Sequence, residues 1–228
     1  MRHGQTGWNA EARLQGQCDS PLSDAGRAQI ERVARALAAV PLRAVYSSPL
    51  CRALDTASAI AVEHRLAVVA VDALKEIALG AWEGLTTDEV AARYPDLLAA
   101  RRRDPLHVAP PGGETIREVR DRAVPAVEAI IAAHAGETVA IVAHGAVNKT
   151  VLLSVLGLPL ETYGRMPQDN AGFNVLEWEA GAARVAVVNE TSHLAGLPTP
   201  REGWARSRAD KCEKPAAPPA YTPLPEPE

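Results

Sequence analysis

Apolar positions recur at two spacings along this chain, and their alternation predicts the architecture. After Ser23, a residue suited to cap a helix, Ile30, Val33, Ala34 and Leu37 fall on one helical face. Arg43-Ala44-Val45-Tyr46-Ser47 reads as a short strand, Leu50 to His64 as a helix, and Val68 to Val71 as a second strand. From about Glu114 to His134, Ile116, Val119, Ala123, Val127, Ile130 and Ile131 line one side of a long helix that Pro125 is expected to kink. Thr138-Val139-Ala140-Ile141-Val142 has the nearly unbroken apolar pattern of a strand buried on both faces of a parallel sheet. A helix from about Val147 to Leu156 stops at Gly157 and Pro159. Phe173 to Trp178 and Arg184 to Val188 pair as a hairpin around Gly181. The predicted fold is α/β: a three-layer sandwich whose mostly parallel central sheet is flanked by helices, with the C-terminal hairpin at the sheet.

The pattern ends near Leu194. Beyond it, Pro198, Pro200, Pro215, Pro218, Pro219, Pro223, Pro225 and Pro227 remove backbone donors, and little apolar surface remains to bury. Residues 1–194 are therefore expected to fold as one domain and 195–228 to form a disordered Pro-rich tail.

Composition narrows the function. With 47% hydrophobic residues the 228-residue chain can build a real core, yet no apolar run is long enough for a membrane span. A formal net charge of -4 speaks against a nucleic-acid partner, which calls for a basic face. The three cysteines, Cys18, Cys51 and Cys212, are widely spaced and odd in number, so neither a disulfide framework nor a thiolate metal site is expected. Polar chemistry starts at Arg2-His3-Gly4, which leaves no room for a signal peptide and suggests a cytoplasmic, reducing setting.

Three polar clusters fall at predicted strand ends: Arg2-His3-Gly4, Ser47-Ser48-Pro49-Leu50-Cys51-Arg52 and His144-Gly145. In open α/β sheets, ligands bind at these carboxyl edges. Two arginines and two histidines gathered there suit a phosphate, since the guanidinium fork matches phosphate oxygens and stays charged. A neutral imidazole can also carry a phosphoryl group covalently. Taken singly, each residue has a plainer reading: His3 as a surface residue, His144 as a hydrogen-bonded core histidine, Arg52 as a solvated charge, Glu76 as a surface partner of Lys75. There is no Gly-x-Gly-x-x-Gly, no P-loop, no Cys-x5-Arg loop and no metal-ligand spacing.

Arg2-His3-Gly4-Gln5-Thr6 with Trp8-Asn9 resembles the signature of the histidine phosphatase superfamily, phosphoglycerate mutase-like branch. The resemblance continues, in order, through Arg13-Leu14-Gln15-Gly16, Asp19-Ser20-Pro21-Leu22-Ser23, Ser47 to Ala53, Glu76, Gly80-Ala81-Trp82-Glu83-Gly84, Gly112-Gly113-Glu114-Thr115, Val142-Ala143-His144-Gly145 and Asn189 to Leu194. It implies that His3 is the nucleophile, that Arg2, Arg52 and His144 cradle the phosphoryl oxygens, and that Glu76 is the proton donor. It also implies substrate contacts from Asn9, Gln15 and Gly145, with no cofactor and no metal. The expected partner is a small phosphorylated substrate; monomer and homodimer both remain open.

Gln15-Gly16, Trp82-Glu83-Gly84 and a short Leu85 to Gly113 stretch look more like the broad-specificity and α-ribazole phosphatases than like the mutases. The expected activity is metal-independent phosphomonoester hydrolysis through a phosphohistidine. The alternatives are a bisphosphoglycerate-primed phosphoglycerate mutase and a weakly active or inactive phospholigand-binding member. The last follows from one departure. Relatives carry an apolar strand ahead of Arg-His-Gly, and here only Met1 precedes it, so the N-terminal strand is expected to be missing and the true start to lie upstream. Losing such a strand costs roughly 5–10 kcal/mol of burial.

Four other features have expected roles. Glu83 is a lesser alternative to Glu76, and Glu114 is a helix-start carboxylate. Arg101-Arg102-Arg103 is expected to be a solvated helix face rather than a carboxylate or second-phosphate site. Cys51 is expected to be buried and inert rather than oxidation-sensitive.

Overall fold

In the computed structural model, which describes residues 1–179 and 182–197, strand side chains alternate between two faces and helices cover both. The elements in order are α1 (Gly7–Ala10), α2 (Asp24–Leu37), β1 (Leu42–Ser47), α3 (Cys51–His64), β2 (Val68–Ala70), α4 (Thr87–Arg93), α5 (Pro95–Arg103), α6 (Ile116–Ala133), β3 (Thr138–Val142), α7 (Gly145–Val155), β4 (Phe173–Glu179) and β5 (Ala182–Glu190). β1, β2 and β3 form a parallel sheet in the order β2-β1-β3, with Val45 opposite both Val68 and Ala140. Tyr46, Val139 and Ile141 pack with the buried residues of α6 and α7, while Val45, Ala140 and Val142 pack with α2 and α3. That two-sided burial is why Thr138–Val142 reads as nearly continuous apolar sequence.

Local chemistry sets the element ends. The Ser23 hydroxyl accepts from the Gly26 N–H, and Thr115 with Glu118 forms a capping box at the start of α6. α6 runs through Pro125 from Ile116 to Ala133. α7 begins at Gly145, two residues before the expected Val147, because a carboxylate from another segment caps it.

The hairpin forms its own two-stranded antiparallel sheet, β4–β5, instead of extending the parallel ladder. Its turn, expected at Gly181, and the tail from 198 onward lie outside the described residues. The compact unit spans Met1–Leu197. Among the described residues, no helix is long and apolar enough to cross a membrane.

Residues 1–3 stand between the two sheets. On one side the Ala143 N–H donates to Met1 O at 2.9 Å and the His3 N–H to Ala143 O at 3.1 Å; on the other, the Arg2 N–H donates to Gly172 O at 3.0 Å. No N-terminal strand precedes β1 among the described residues, as expected; residues 1–3 join β3 through one parallel bridge, Arg2 to Ala143. Behind Met1 lies a cavity of about 610 Å³ between β3 and β4, lined among others by Val139, Ile141, Val151, Leu176 and Trp178. The Met1 amino group donates to Ile141 O at 2.7 Å, and burial lowers its pKa to about 5.

Candidate active site

Parallel strands deliver their C-terminal ends to one edge, and the polar clusters meet there. His3 follows the bridge beside β3, Ser48 and Arg52 follow β1, Glu76 comes after β2 and the turn Asp72–Leu74, and His144 follows β3. His3 is buried and its Nδ1 lies 2.7 Å from Gly4 O. A carbonyl only accepts, so Nδ1 carries the hydrogen and the Nε2 lone pair is left for chemistry. Burial first, then the charges of Arg2 and Arg52, hold the His3 imidazole well below its ordinary range, so the ring is neutral near pH 7.

His144 is fully buried, and its ring centroid is 5.1 Å from that of His3. Its Nε2 lies 2.8 Å from Ser48 Oγ, which also accepts from the Leu50 N–H. With the serine hydrogen assigned to Nε2, His144 is the Nδ1–H tautomer. That Nδ1 is buried without a partner, as are Arg2 Nε and Arg52 Nε. The guanidiniums are otherwise tied to carbonyls: Arg2 Nη1 to Gln168 O at 2.7 Å, Arg52 Nη1 to Cys18 O and Nη2 to Gly16 O, both at 2.8 Å. Burial works against both guanidinium charges, and the nearest carboxylate to Arg52, Asp19 Oδ1, is 4.0 Å away. Three buried N–H donors on three segments, two of them cationic, lack an acceptor. An oxyanion supplies one.

Gly16 makes the Arg52 contact possible. It has φ +54°, and a Cβ there would come within 2.0 Å of Glu83 Oε1. Glu83 Oε1 accepts from the N–H groups of Gln17 at 2.9 Å and Leu79 at 3.0 Å, and Oε2 from the Cys18 thiol at 2.9 Å. Burial pushes its carboxyl up, but these bonds outweigh it and leave Glu83 below the ordinary carboxylate range. Glu83 staples loop 15–18 in place.

Glu76 faces the start of α7. Its Oε2 accepts from the Gly145 N–H at 3.1 Å, and Oε1 from the Ala146 and Ile77 N–H groups at 3.1 and 2.9 Å. Gly145 thus spends its N–H on Glu76, and a Cβ at this position would lie 3.7 Å from Glu76 Oε2 and 4.0 Å from Arg2 Nε. Asn9 and Gln15 are both anchored through Thr6, whose N–H donates to Asn9 Oδ1 at 3.1 Å and whose hydroxyl donates to Gln15 Oε1 at 2.9 Å. With the oxygens so used, the two amide NH₂ groups are the free ends.

Four residues without a catalytic or binding role in the sequence reading complete the site. Ser48 sets the His144 tautomer. Asn170 donates to His3 O and Asn9 Oδ1, both at 3.2 Å. Arg122 and Glu114 fasten the Glu76 loop, so Glu114 is more than a helix-start carboxylate. Two further expectations change. Cys51 is exposed, not buried; its thiol donates to Asp19 Oδ2 at 3.2 Å, and that bond raises its pKa despite the neighbouring arginine. Arg102 and Arg103 are solvated, whereas Arg101 turns inward and donates to the Val108 and Glu114 carbonyls.

The chain is similar to known proteins in sequence and in fold. The sequence profile of the histidine phosphatase superfamily (branch 1) matches residues 1–191. Phosphoserine phosphatase 1 of Hydrogenobacter thermophilus is 32% identical, over 85% of this chain and 92% of its own. A metal-independent phosphoserine phosphatase of Arabidopsis thaliana is 35% identical, over 86% and 82%. Among solved structures, YhfR of Bacillus stearothermophilus superposes with a TM-score of 0.80 at 38% identity, over 85% of this chain and 96% of that one.

Proposed function

The chain belongs to the histidine phosphatase superfamily and is a phosphomonoester hydrolase of that type, and from that premise we propose that it hydrolyses a small phosphorylated metabolite through a phosphohistidine on His3, without a metal. The observation that carries this reading is the neutral, Nδ1-protonated His3 set beside three unpartnered buried N–H donors. In the first step, the His3 Nε2 lone pair attacks phosphorus as the ester P–O bond breaks. Glu76 gives its proton to the departing oxygen, which leaves as the alcohol. Arg2 Nε, Arg52 Nε and His144 Nδ1 donate to the equatorial oxygens, where charge builds up, and the free NH₂ groups of Asn9 and Gln15 add neutral donors. In the second step, Glu76, now a carboxylate, takes a proton from water. The water oxygen bonds to phosphorus, the N–P bond breaks, and inorganic phosphate and neutral His3 are restored.

Hydrolysis is favoured over phosphoryl transfer to a bisphosphoglycerate-type acceptor by the short segment from Leu85 to Gly113, which supplies only two short helices, α4 and α5, of seven and nine residues. The name of the Arabidopsis relative supports metal independence. The test is hydrolysis of an aryl phosphate in excess EDTA by the parent and by His3→Ala. Phosphate release by the parent alone supports the reading, and activity that requires added metal overturns it. Isomerisation of 3-phosphoglycerate without net phosphate release would favour the mutase alternative.

A further inference from the structure

β2 ends the parallel sheet with one side bare. Val45, Tyr46 and Ser47 of β1 lie opposite Val68, Val69 and Ala70, and no strand among the described residues pairs with the other side of β2. Alternate residues of a strand turn their N–H and C=O to opposite sides. The Val71 N–H donates to Ser47 O at 2.8 Å, so Val71 and Val69 face β1, and Val68 and Ala70 present their backbone groups outward. The side chains along this edge are apolar and open to solvent. Val69 is 46% exposed, Ala67 and Ala70 are exposed, and Val62 near the end of α3 is 74% exposed. Edge strands are commonly guarded by charges or proline, yet Leu66 to Val71 contains neither. We propose that this edge pairs with the same edge of a second copy of the chain, antiparallel about a two-fold axis at Val69, so that the parallel sheets of the two copies become continuous.

The backbone selects the register. In an antiparallel ladder, outward-facing residues oppose one another. Centring on Val69 sets Val68 of each copy against the other copy's Ala70, where each pair exchanges both of its backbone hydrogen bonds, and the Val69 side chains meet at the axis. Centring on Val68 needs the Leu66 N–H, which already donates to Ala61 O at 3.0 Å. Centring on Ala70 needs the Asp72 carbonyl, which already accepts from the Lys75 N–H at 3.1 Å. Charge selects the occupant. Arg65 stands just before the strand and Asp72 just after it, so antiparallel pairing brings each Arg65 to within one residue of the second copy's Asp72 at both ends of the ladder. Arg65 makes no ion pair among the described residues, and the Asp72 side chain, which pairs with Lys75, is 81% exposed. A strand bounded by like charges repels its own copy. This one is bounded by opposite charges and attracts it, which favours a second copy over an unrelated chain.

Sedimentation equilibrium of the full chain tests the pairing, with circular dichroism to confirm that each variant is folded. The parent is expected to dimerise with a Kd of about 10 μM, as a short ladder and a small apolar contact imply. Val69→Lys sets like charges against each other at the axis and is expected to leave a folded monomer. Arg65→Glu turns the end contacts from attraction to repulsion and is expected to weaken the dimer about tenfold. Adding Asp72→Arg to that variant reverses both charges and is expected to restore the affinity to within about threefold of the parent. A parent that stays monomeric up to about 1 mM overturns the proposal, since that Kd is weaker than any specific dimer of this kind. A dimer that survives Val69→Lys overturns it as well, by placing the contact on another face. If the double charge reversal is no tighter than Arg65→Glu alone, the two-fold pairing of Arg65 with Asp72 is wrong.

Discussion

Arg122 grips Glu114 with two nearly equal contacts, Nε to Oε1 at 2.8 Å and Nη2 to Oε2 at 2.9 Å. The pair is bolted to the segment that carries Glu76. Arg122 Nη1 donates to Ala73 O at 2.7 Å and Lys75 O at 2.8 Å, Nη2 donates to Glu76 O at 3.0 Å, and the Ala78 N–H donates to Glu114 Oε2 at 2.8 Å. A planar fork can reach all these acceptors at once, and an ammonium cannot.

Arg122→Lys should therefore misplace Glu76 while keeping the charge. Because proton donation matters most for a poor leaving group, kcat should fall about ten- to a hundredfold on an alkyl phosphate and far less on a nitrophenyl ester. The check is steady-state kinetics on both esters. An equal fall on the two would show a general structural defect and defeat the positioning role.

Ser48 acts on His144 in a similar indirect way. Removing its hydroxyl leaves His144 Nε2 without the hydrogen that fixes the tautomer. Ser48→Ala should weaken binding of orthovanadate, a phosphoryl mimic, by about tenfold, since one charge-directed donor is lost part of the time. Nitrogen NMR of the labelled imidazole should show Nδ1–H in the parent and mixed tautomers in the variant. A pure Nδ1–H signal in Ser48→Ala would refute the assignment.

How much of this was legible in the chain depends on the range of the interaction. Strand and helix periodicity places Arg2, His3, Arg52 and His144 at one sheet edge, because parallel strands have only one carboxyl edge to offer. The Arg122–Glu114 clamp was invisible for a different reason. Its partners, at Ala73, Lys75, Glu76 and Ala78, are remote in sequence, and an arginine on an amphipathic helix looks like any solvated charge. Cys51 was misread because a thiol beside an arginine says nothing of Asp19, which reaches it from 32 residues away. Arg101 was read with its neighbours as one face, yet side chains one residue apart on a helix point in different directions. The hairpin's separation from the parallel sheet likewise depends on what lies between them, a property of the fold and not of the hairpin.

The buried histidines make stability fall with acid. Burial and the neighbouring arginines hold the folded-state pKa of His3 well below 6.5, and burial with His3, Arg52 and Arg2 does the same for His144. Below pH 6.5 the unfolded chain binds protons that the folded chain refuses, so the stability is fully present above that pH and is lost as pH drops. With both histidines protonated in the unfolded state, the slope approaches roughly 2.7 kcal/mol per pH unit. Urea unfolding at pH 7 and pH 5 should show this loss, and a His3→Gln, His144→Gln double variant should show a clearly shallower one. Parallel slopes in parent and variant would assign the acid sensitivity elsewhere, the Met1 amine included.

The gap between β3 and β4 leads to the last prediction. Met1–His3 runs parallel to β3, and the contacts of Arg2 and His3 with Gly172 and Ala171 are antiparallel in order, so both flanking edges are shaped for one more stretch of strand. Val139, Ile141, Leu176 and Trp178 line the cavity of about 610 Å³ there. About four residues of alternating valine and threonine fused ahead of Met1 would run beside Thr138–Ile141, fill that space, and replace the buried amine with an ordinary peptide. Unfolding free energy should rise by about 2–4 kcal/mol, or roughly 5–15 °C in Tm. A Gly-Ser extension of equal length, which also removes the amine but has no apolar side chains, should give much less. If the two extensions shift Tm equally, the gain comes from relieving the buried amine, which burial lowers to about 5, and not from completing the sheet.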